Sequence, residues 1–346
     1  MQKDTPAANR EVSSTAPREY QVRALEPSEF ARWDDLVRYS PQGTLFHTTL
    51  WLNAACVPYR LLGCFRGSEL HGGFALGLIG PRAAGNPHAS FTPYLGILYP
   101  LTTAKYVTEL SQNKEIANAF AGFIKREFDW VYIKLAPEVI DLQPFIWQGF
   151  GVDMHYTYRL PLRNLKSVFD NMDAARRRNI VSAEKHGVRV EVGANFSEIV
   201  RLREISFERQ GQRVSDGATV VKFEAALRRA GQCQTFLARS KENESLGGVW
   251  IAWDEKRAYY LVGGFDHSAK SNNAVALAMW HAIQFAATKL NLPEFDFEGS
   301  MNPAIERFFR KFGGVLTPNY IVRYRRPIGL GQRIARKIAR VIRGQA

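Results

Sequence analysis

The sequence is short of cysteine, of long apolar runs and of clustered metal ligands, and each shortage narrows what it can be. Three of its 346 residues are cysteines, Cys56, Cys64 and Cys233. An odd number scattered among apolar neighbours makes no disulfide framework. It is the usage of reduced core thiols, and the expectation is a cytoplasmic protein. No apolar stretch approaches the roughly 20 residues that span a bilayer. Residues 1–18 are polar and rich in Ala, Pro, Ser and Thr. They lack the apolar core of a secretory signal and read as a disordered lead-in. The histidines and cysteines fall at no metal-ligand spacing, so no metal is expected. No Ser-His-Asp or Cys-His pattern of nucleophilic catalysis stands out. Acidic residues are missing from one place in particular. From Arg323 onward there are eight Arg or Lys and no Asp or Glu. The net charge is +13, and without that segment it is 13 − 8 = +5. The excess belongs to a tail, so it makes no case for a DNA-binding body.

What is present is a repeat. The apolar fraction of 46% is that of a folded globular chain, and the length fits two domains of roughly 150 residues. Leu70-His71-Gly72-Gly73-Phe74-Ala75 returns as Leu246-Gly247-Gly248-Val249-Trp250-Ile251. Phe128-Asp129-Trp130-Val131 returns as Phe295-Asp296-Phe297-Glu298, and Phe145 to Val152 returns as Phe308 to Val315. The echoes keep their order, 56 then 17 residues apart in the first half and 48 then 13 in the second. They predict two copies of one α/β (α+β) domain, with Gly72 over Gly247 and Phe128 over Phe295. Two copies make a cleft where they meet, a favoured place for ligands.

Periodicity gives the same order of elements in each half: β-α-α-β-β-β-α-β-α-β. The first half has strands near 20–25, 59–65, 70–79, 94–99, 130–135 and 154–160, with a Pro- and Gly-rich connection over 80–93 and a helix over 114–128. The second has strands near 188–192, 234–239, 246–253, 258–262, 294–297 and 315–324, with a long helix over 273–290. Antiparallel strands therefore come first, then a crossover helix and a parallel strand. The expected units are 1–18, a lead-in; 19–162 and 163–326, two domains; and 327–346, a basic amphipathic helix.

Three segments carry a family resemblance. One is Trp33-Asp34-Asp35-Leu36 with Gly43 to Thr48 and Trp51. The second is Arg177-Arg178-Asn179-Ile180 with Ala183 to Val188. The third is Phe295 to Ser300 with Phe308, Lys311 and Phe312-Gly313-Gly314. Together with the element order these resemble the GNAT acyltransferase fold, and the tandem copy resembles the Fem family of peptidyltransferases and their acetyltransferase-like relatives. The resemblance implies two tandem GNAT-like domains, each a mixed, mostly antiparallel sheet flanked by helices. It implies transfer of an acyl or aminoacyl group to an amine. The donor would be acyl-CoA, or alternatively aminoacyl-tRNA, and the acceptor a cell-envelope sugar or peptide precursor. A non-catalytic module that holds a glycolipid in the cleft is the reading from another class. The Gly-rich phosphate loop of CoA-dependent relatives is replaced at the start of the long helix by His267 to Ala274, without a glycine. Lys270, Ser271, Asn272 and Asn273 are the candidates to hold the donor there, by a cation and by helix capping.

Other candidates follow from chemistry. Glu298, at a strand end, suits a general base on an incoming amine, and Tyr260 suits a hydrogen bond to a leaving thiolate. Asp296 lies two residues from Glu298 on one strand face, as a substrate contact or an internal ion pair. Arg177 and Arg178 suit phosphate or carboxylate of an acceptor, with Lys311 beside them. The tail alternates Leu330, Ile334, Ile338, Val341 and Ile342 with Arg333, Arg336, Lys337, Arg340 and Arg343. That pattern suits a helix on the anionic inner face of the cell membrane, or an arm on tRNA.

Overall fold

A computed structural model describes residues 19–88, 91–209, 211, 217–266 and 273–327. The expected lead-in and basic tail lie outside these residues. In the first half the chain runs β1 (Gln21–Ala24), α1 (Phe30–Tyr39), α2 (Thr49–Ala54), β2 (Tyr59–Arg66), β3 (Glu69–Gly80), β4 (Ala83–Gly85), β5 (Gly96–Leu98), α3 (Tyr106–Glu127), β6 (Trp130–Lys134), α4 (Gln143–Trp147) and β7 (Gly151–Pro161). The second half begins with α5 (Leu165–Asn171), α6 (Ala174–Lys185), β8 (Arg189–Val192), α7 (Phe196–Glu208) and α8 (Gly217–Arg229). It continues with β9 (Cys233–Arg239), β10 (Ser245–Trp253), β11 (Ala258–Phe265), α9 (Ala274–Thr288), β12 (Glu294–Asp296), α10 (Pro303–Arg310) and β13 (Val315–Arg325).

One sheet runs through the molecule in the order β1-β2-β3-β4-β6-β13-β7-β12-β11-β10-β9-β8, with β5 on β3. This order reads the same from both ends once each strand is matched to its repeat. The last strand of each half has crossed into the other: β13 pairs with β6, and β7 pairs with β12. A boundary at residue 162 divides the repeats along the chain, but it does not divide the sheet. The β7–β13 ladder maps onto itself about the pair His155 and Asn319, because Gly151 faces Arg323 just as Arg159 faces Val315. Matched positions here differ by a constant 164, the step from Gly151 to Val315.

That register corrects two of the three echoes. Val131, opposite Tyr324, matches Phe295, opposite Leu160. Phe128 instead closes α3 and lies on no strand. Phe145 matches Phe309, and the left-handed Gly149 and Gly313 (φ 81° and 82°) match in the turns that follow. The glycine echo stands. A Cβ on Gly72 would come within 2.8 Å of Ile116 in α3, and one on Gly73 within 2.5 Å of Trp33 in α1. On Gly247 it would meet Val275 in α9 at 3.0 Å, and on Gly248 Ile199 in α7 at 2.3 Å. In both halves a glycine pair lets helices press on the two faces of the central hairpin, which small residues alone permit.

Each half has its own apolar core, around Phe74, Phe120 and Phe145 in one and around α9 in the other. A third core joins them: Phe46, Trp51 and Tyr94 from the first half pack with Phe223, Trp250 and Tyr259 from the second. Trp51 stacks on Phe223 at 4.4 Å, and Phe46 meets Tyr259 edge-on at 4.8 Å. Such aromatic pairs add to their burial about 0.5–1.5 kcal/mol each. This core fixes the angle between the halves and so the shape of the cleft.

Candidate active site

Parallel strands β11 and β12 touch only at Ala258–Phe295 and Tyr259–Asp296. Beyond that β11 runs on along β10 to Phe265, while β12 ends. The two strands part, and a bulge at Leu261, between the pairs Trp250–Val262 and Ile251–Tyr260, marks the place on β11. Glu298 and Tyr260 belong to the two sides of this parting. Bulges next to active sites re-aim side chains in this way.

The first half has the same parallel pair, β4 on β6, and there the parting is filled. Residues 86–88 and 91–95 lie over the end of β6. Asn86 accepts from Lys134 N (2.9 Å) and donates to Thr92 O (2.9 Å), and Leu95 N donates to Lys134 O (2.8 Å). The segment then sends Tyr94 across to the second half.

Tyr94 ends on Asp296, the centre of a buried polar network. Four donors reach that carboxylate: Tyr94 Oη (3.1 Å), Thr157 Oγ1 (2.6 Å), Arg159 Nε (3.0 Å) and the backbone N of Glu298 (2.8 Å). Arg159 also donates to Glu138 (2.6 Å), and Glu138 accepts from Arg257 (2.8 Å). Burial opposes the Glu138 charge, but Arg257 and Arg159 hold its carboxyl below the ordinary value. For Glu294 burial wins over the same two cations and its carboxyl is raised. Asp296 is fully buried and its oxygens are taken. It is an internal anchor, not the substrate contact that its spacing suggested.

Asp296 sets up Glu298. By holding the Glu298 N–H it turns the chain into two successive left-handed residues, Glu298 (φ 56°) and Gly299 (φ 68°). A positive φ at glutamate costs of order 1–3 kcal/mol and persists only where the surroundings enforce it. The Glu298 side chain is half-buried, and its Oε1 is buried without a hydrogen-bond partner among the described residues. Burial, and then the Asp296 charge, push its carboxyl well above the usual carboxylate range, while Lys134 acts in the opposite sense. Tyr260 packs edge-on against Phe309 (5.4 Å). Burial and the Glu298 charge raise its phenol, so it stays protonated and able to donate.

The remaining candidates sit elsewhere. Arg177 donates to the carbonyls of Asp170 and Met172 (2.9 Å to the latter), tying α6 to α5. With Arg178 it lines a shallow hollow shared with Phe169, Val181, Lys185 and His186. Lys311 lies 3.9 Å from Asp173. Arg176 lies over the rings of both Phe308 and Phe312 (4.3 and 4.6 Å) and donates to Phe308 O (3.1 Å). The Arg-rich segment thus packs α6 on the end of α10, and no ion pair or hydrogen bond joins it to Glu298. Lys270, Ser271 and Asn272 lie outside the described residues. Asn273 starts α9, but its side chain makes no cap, contrary to expectation. Asn302 does cap α10, through Ala304 N (2.9 Å).

Four site residues were not read from the sequence: Tyr94, Lys134, His155 and Asn319. Tyr94 and Lys134 meet within the first half, and the exchange of β7 and β13 adds His155 and Asn319 beside them. Lys134 matches Glu298 across the repeat, a relation that the misplaced second echo hid.

The comparisons agree with this geometry. A family model described as an acetyltransferase (GNAT) domain matches residues 171–310. No curated protein matches the chain by sequence. Among solved structures, FemX is similar at a TM-score of 0.63 and 15% identity, covering 87% of this chain and 96% of that one. A tandem GNAT protein from the clavulanic acid biosynthesis pathway gives 0.53 at 10% identity over 88% and 98%. The C-terminal domain of a putative lysylphosphatidylglycerol synthetase from Agrobacterium fabrum gives 0.55 at 11% over 91% and 96%. These likenesses are likenesses of fold. The domain match falls on the second repeat, the one with the parted strands, so residues 171–310 carry a GNAT acetyltransferase domain and the two exchanged repeats give the whole chain the tandem GNAT fold that FemX also has.

Proposed function

We propose that the chain moves an acyl group from acyl-CoA to an amine on a cell-envelope precursor, with the donor held by the second half. The observation that carries this reading is the parting of β11 and β12 beside the unbonded Oε1 of Glu298, set against a first-half parting that the chain itself covers. The amine nitrogen attacks the thioester carbonyl, Glu298 takes the proton that nitrogen loses, and the C–S bond breaks. Tyr260 donates a hydrogen bond to the departing thiolate, and backbone N–H groups at the Leu261 bulge stabilise the oxyanion. Most of the acceleration comes from holding amine and carbonyl in line. The N-terminus of α9 and the residues before it, Lys270 to Asn273, hold the phosphates. Gly247 supports this by seating Val275, in the first turn of α9, directly on β10. The tail after residue 327 brings the enzyme to anionic membrane, where lipid-linked precursors lie.

The test is a thermal-shift series with acetyl-CoA, longer acyl-CoAs and aminoacyl-tRNA. A true donor at about 100 times its dissociation constant stabilises by about 2.7 kcal/mol. Stabilisation by aminoacyl-tRNA alone would replace the thioester donor by an ester one. No response to any donor would leave the glycolipid-binding reading in its place.

A further inference from the structure

Opposite residues of neighbouring strands share a face of the sheet, and alternate residues along a strand share it too. On one face of the central strands this brings together Lys134 on β6, Asn319 and Ile321 on β13, and Asp153, His155 and Thr157 on β7. The backbone N of Phe297 donates to Tyr158 O (3.0 Å), which keeps Glu298 in step beside Thr157. The face lies under Tyr94, and Lys134 and Glu298 flank it at matched positions on opposite sides of the two-fold.

Three polar groups here lack partners. Lys134 has no carboxylate within 4 Å among the described residues, and its recorded contact is the ring of Tyr94 at 5.6 Å. Glu298 Oε1 is buried and unbonded. Asn319 is fully buried, and neither its Oδ1 nor its Nδ2 has a partner. Elsewhere the same network pairs its charges closely: Arg159 and Arg257 both bond Glu138. A half-buried ammonium without a close counter-ion is disfavoured, because burial penalises the charge and no carboxylate is near enough to offset it. Burial does lower the Lys134 ammonium, and only the more distant Glu298 and Asp296 charges oppose this. Lys134 in turn acts with burial to lower the His155 imidazole.

We propose that Lys134 is the anion-binding half of the acceptor site, so that the acceptor is an amine carrying a carboxylate or phosphate, its nitrogen at Glu298 and its anion at Lys134. The inference rests on the acyl-transfer reading for the role of Glu298. The acceptor's anion supplies the counter-charge that the fold withholds from Lys134. Its cationic or neutral nitrogen meets the unbonded Oε1.

The experiment measures acetyl transfer at saturating acetyl-CoA to two matched pairs of amines. One pair is β-alanine and propylamine, which differ by a carboxylate. The other is O-phosphoethanolamine and ethanolamine, which differ by a phosphate. In the native chain kcat/KM for the anionic member exceeds that for its twin by tenfold or more in at least one pair, and the pair says which anion is used. Lys134→Gln lowers that ratio at least tenfold, chiefly through KM, and Lys134→Arg retains it. Equal use of both members in both pairs, or a ratio unchanged in Lys134→Gln, overturns the proposal. If no amine accepts acetyl, the acyl-transfer reading fails by itself. Calorimetric titration of the two anionic amines into both forms then decides this one: binding lost in Lys134→Gln supports it, and absent or equal binding refutes it.

Discussion

Glu298 is asked to be buried enough to be a base and accessible enough to meet an amine. Burial, with its Oε1 left unbonded, and the neighbouring Asp296 raise the cost of its charge. Two predictions follow at this scale. Glu298→Gln lowers kcat by about 10²–10⁴, the range for a general base, with the fold kept. A variant of full activity would assign the proton to the substrate or to solvent. The second concerns stability. A carboxyl raised in the folded state keeps its proton where the unfolded chain has lost it. The folded chain is therefore progressively disfavoured as pH climbs from the ordinary carboxylate value through the folded one. Glu298→Gln removes that term, so at neutral pH the variant is the more stable by about 1 kcal/mol, and the gap closes near pH 4. Urea midpoints at the two pH values check it, and a variant less stable at neutral pH would mean that the carboxylate has found a partner. The carboxylate itself was legible in the sequence, as an acid at a strand end. Its partners were not, because Lys134, Tyr94 and Asn319 are brought to it by tertiary pairing that no local pattern announces.

Elements were legible where their period is strong, and less so where pairing rather than propensity makes them. The hairpin β2–β3, the helix α9 and the strand β13 follow from alternation and spacing. Strand β4 does not, since Ala83-Ala84-Gly85 has no strand preference and is extended only because it pairs with β6. Helix α3 begins at Tyr106, well before the expected 114, because Tyr106, Val107 and Thr108 are poor helix formers carried by the turns after them. The second echo slipped by three residues because Phe-Asp occurs both at the end of α3 and within β12. At this scale Gly299 is the sharpest test of the turn after β12. A Cβ there would come within 1.9 Å of the carbonyl oxygen of Tyr156, on a backbone at φ 68°. Gly299→Ala combines a clash with rigid backbone and an unfavourable conformation, each of order 1–3 kcal/mol. The expected loss is about 3 kcal/mol or more by denaturant unfolding. A loss under about 1 kcal/mol would mean that the turn relaxes freely and does not hold Glu298 in place.

Across the whole molecule the exchange of β7 and β13 makes the halves interdependent. Residues 19–162 alone lack the strand that covers β6, and residues 163–326 alone lack the strand that covers β12. Each would expose a bare central edge. Expressed separately, each half should therefore show no cooperative unfolding transition, while the intact chain shows one. Independent transitions that sum to that of the whole would show two self-sufficient domains. The exchange also bears on ancestry. Two identical chains could build this sheet by trading their last strands about the same axis. Such a symmetric pair would carry the same residue at the positions of Lys134 and Glu298, so either two lysines or two glutamates would face one hollow. Joining the chains into one lifts that constraint, because each position can then change without its twin. The opposite charges now flanking the axis are a polarity that no homodimer with this symmetry could possess.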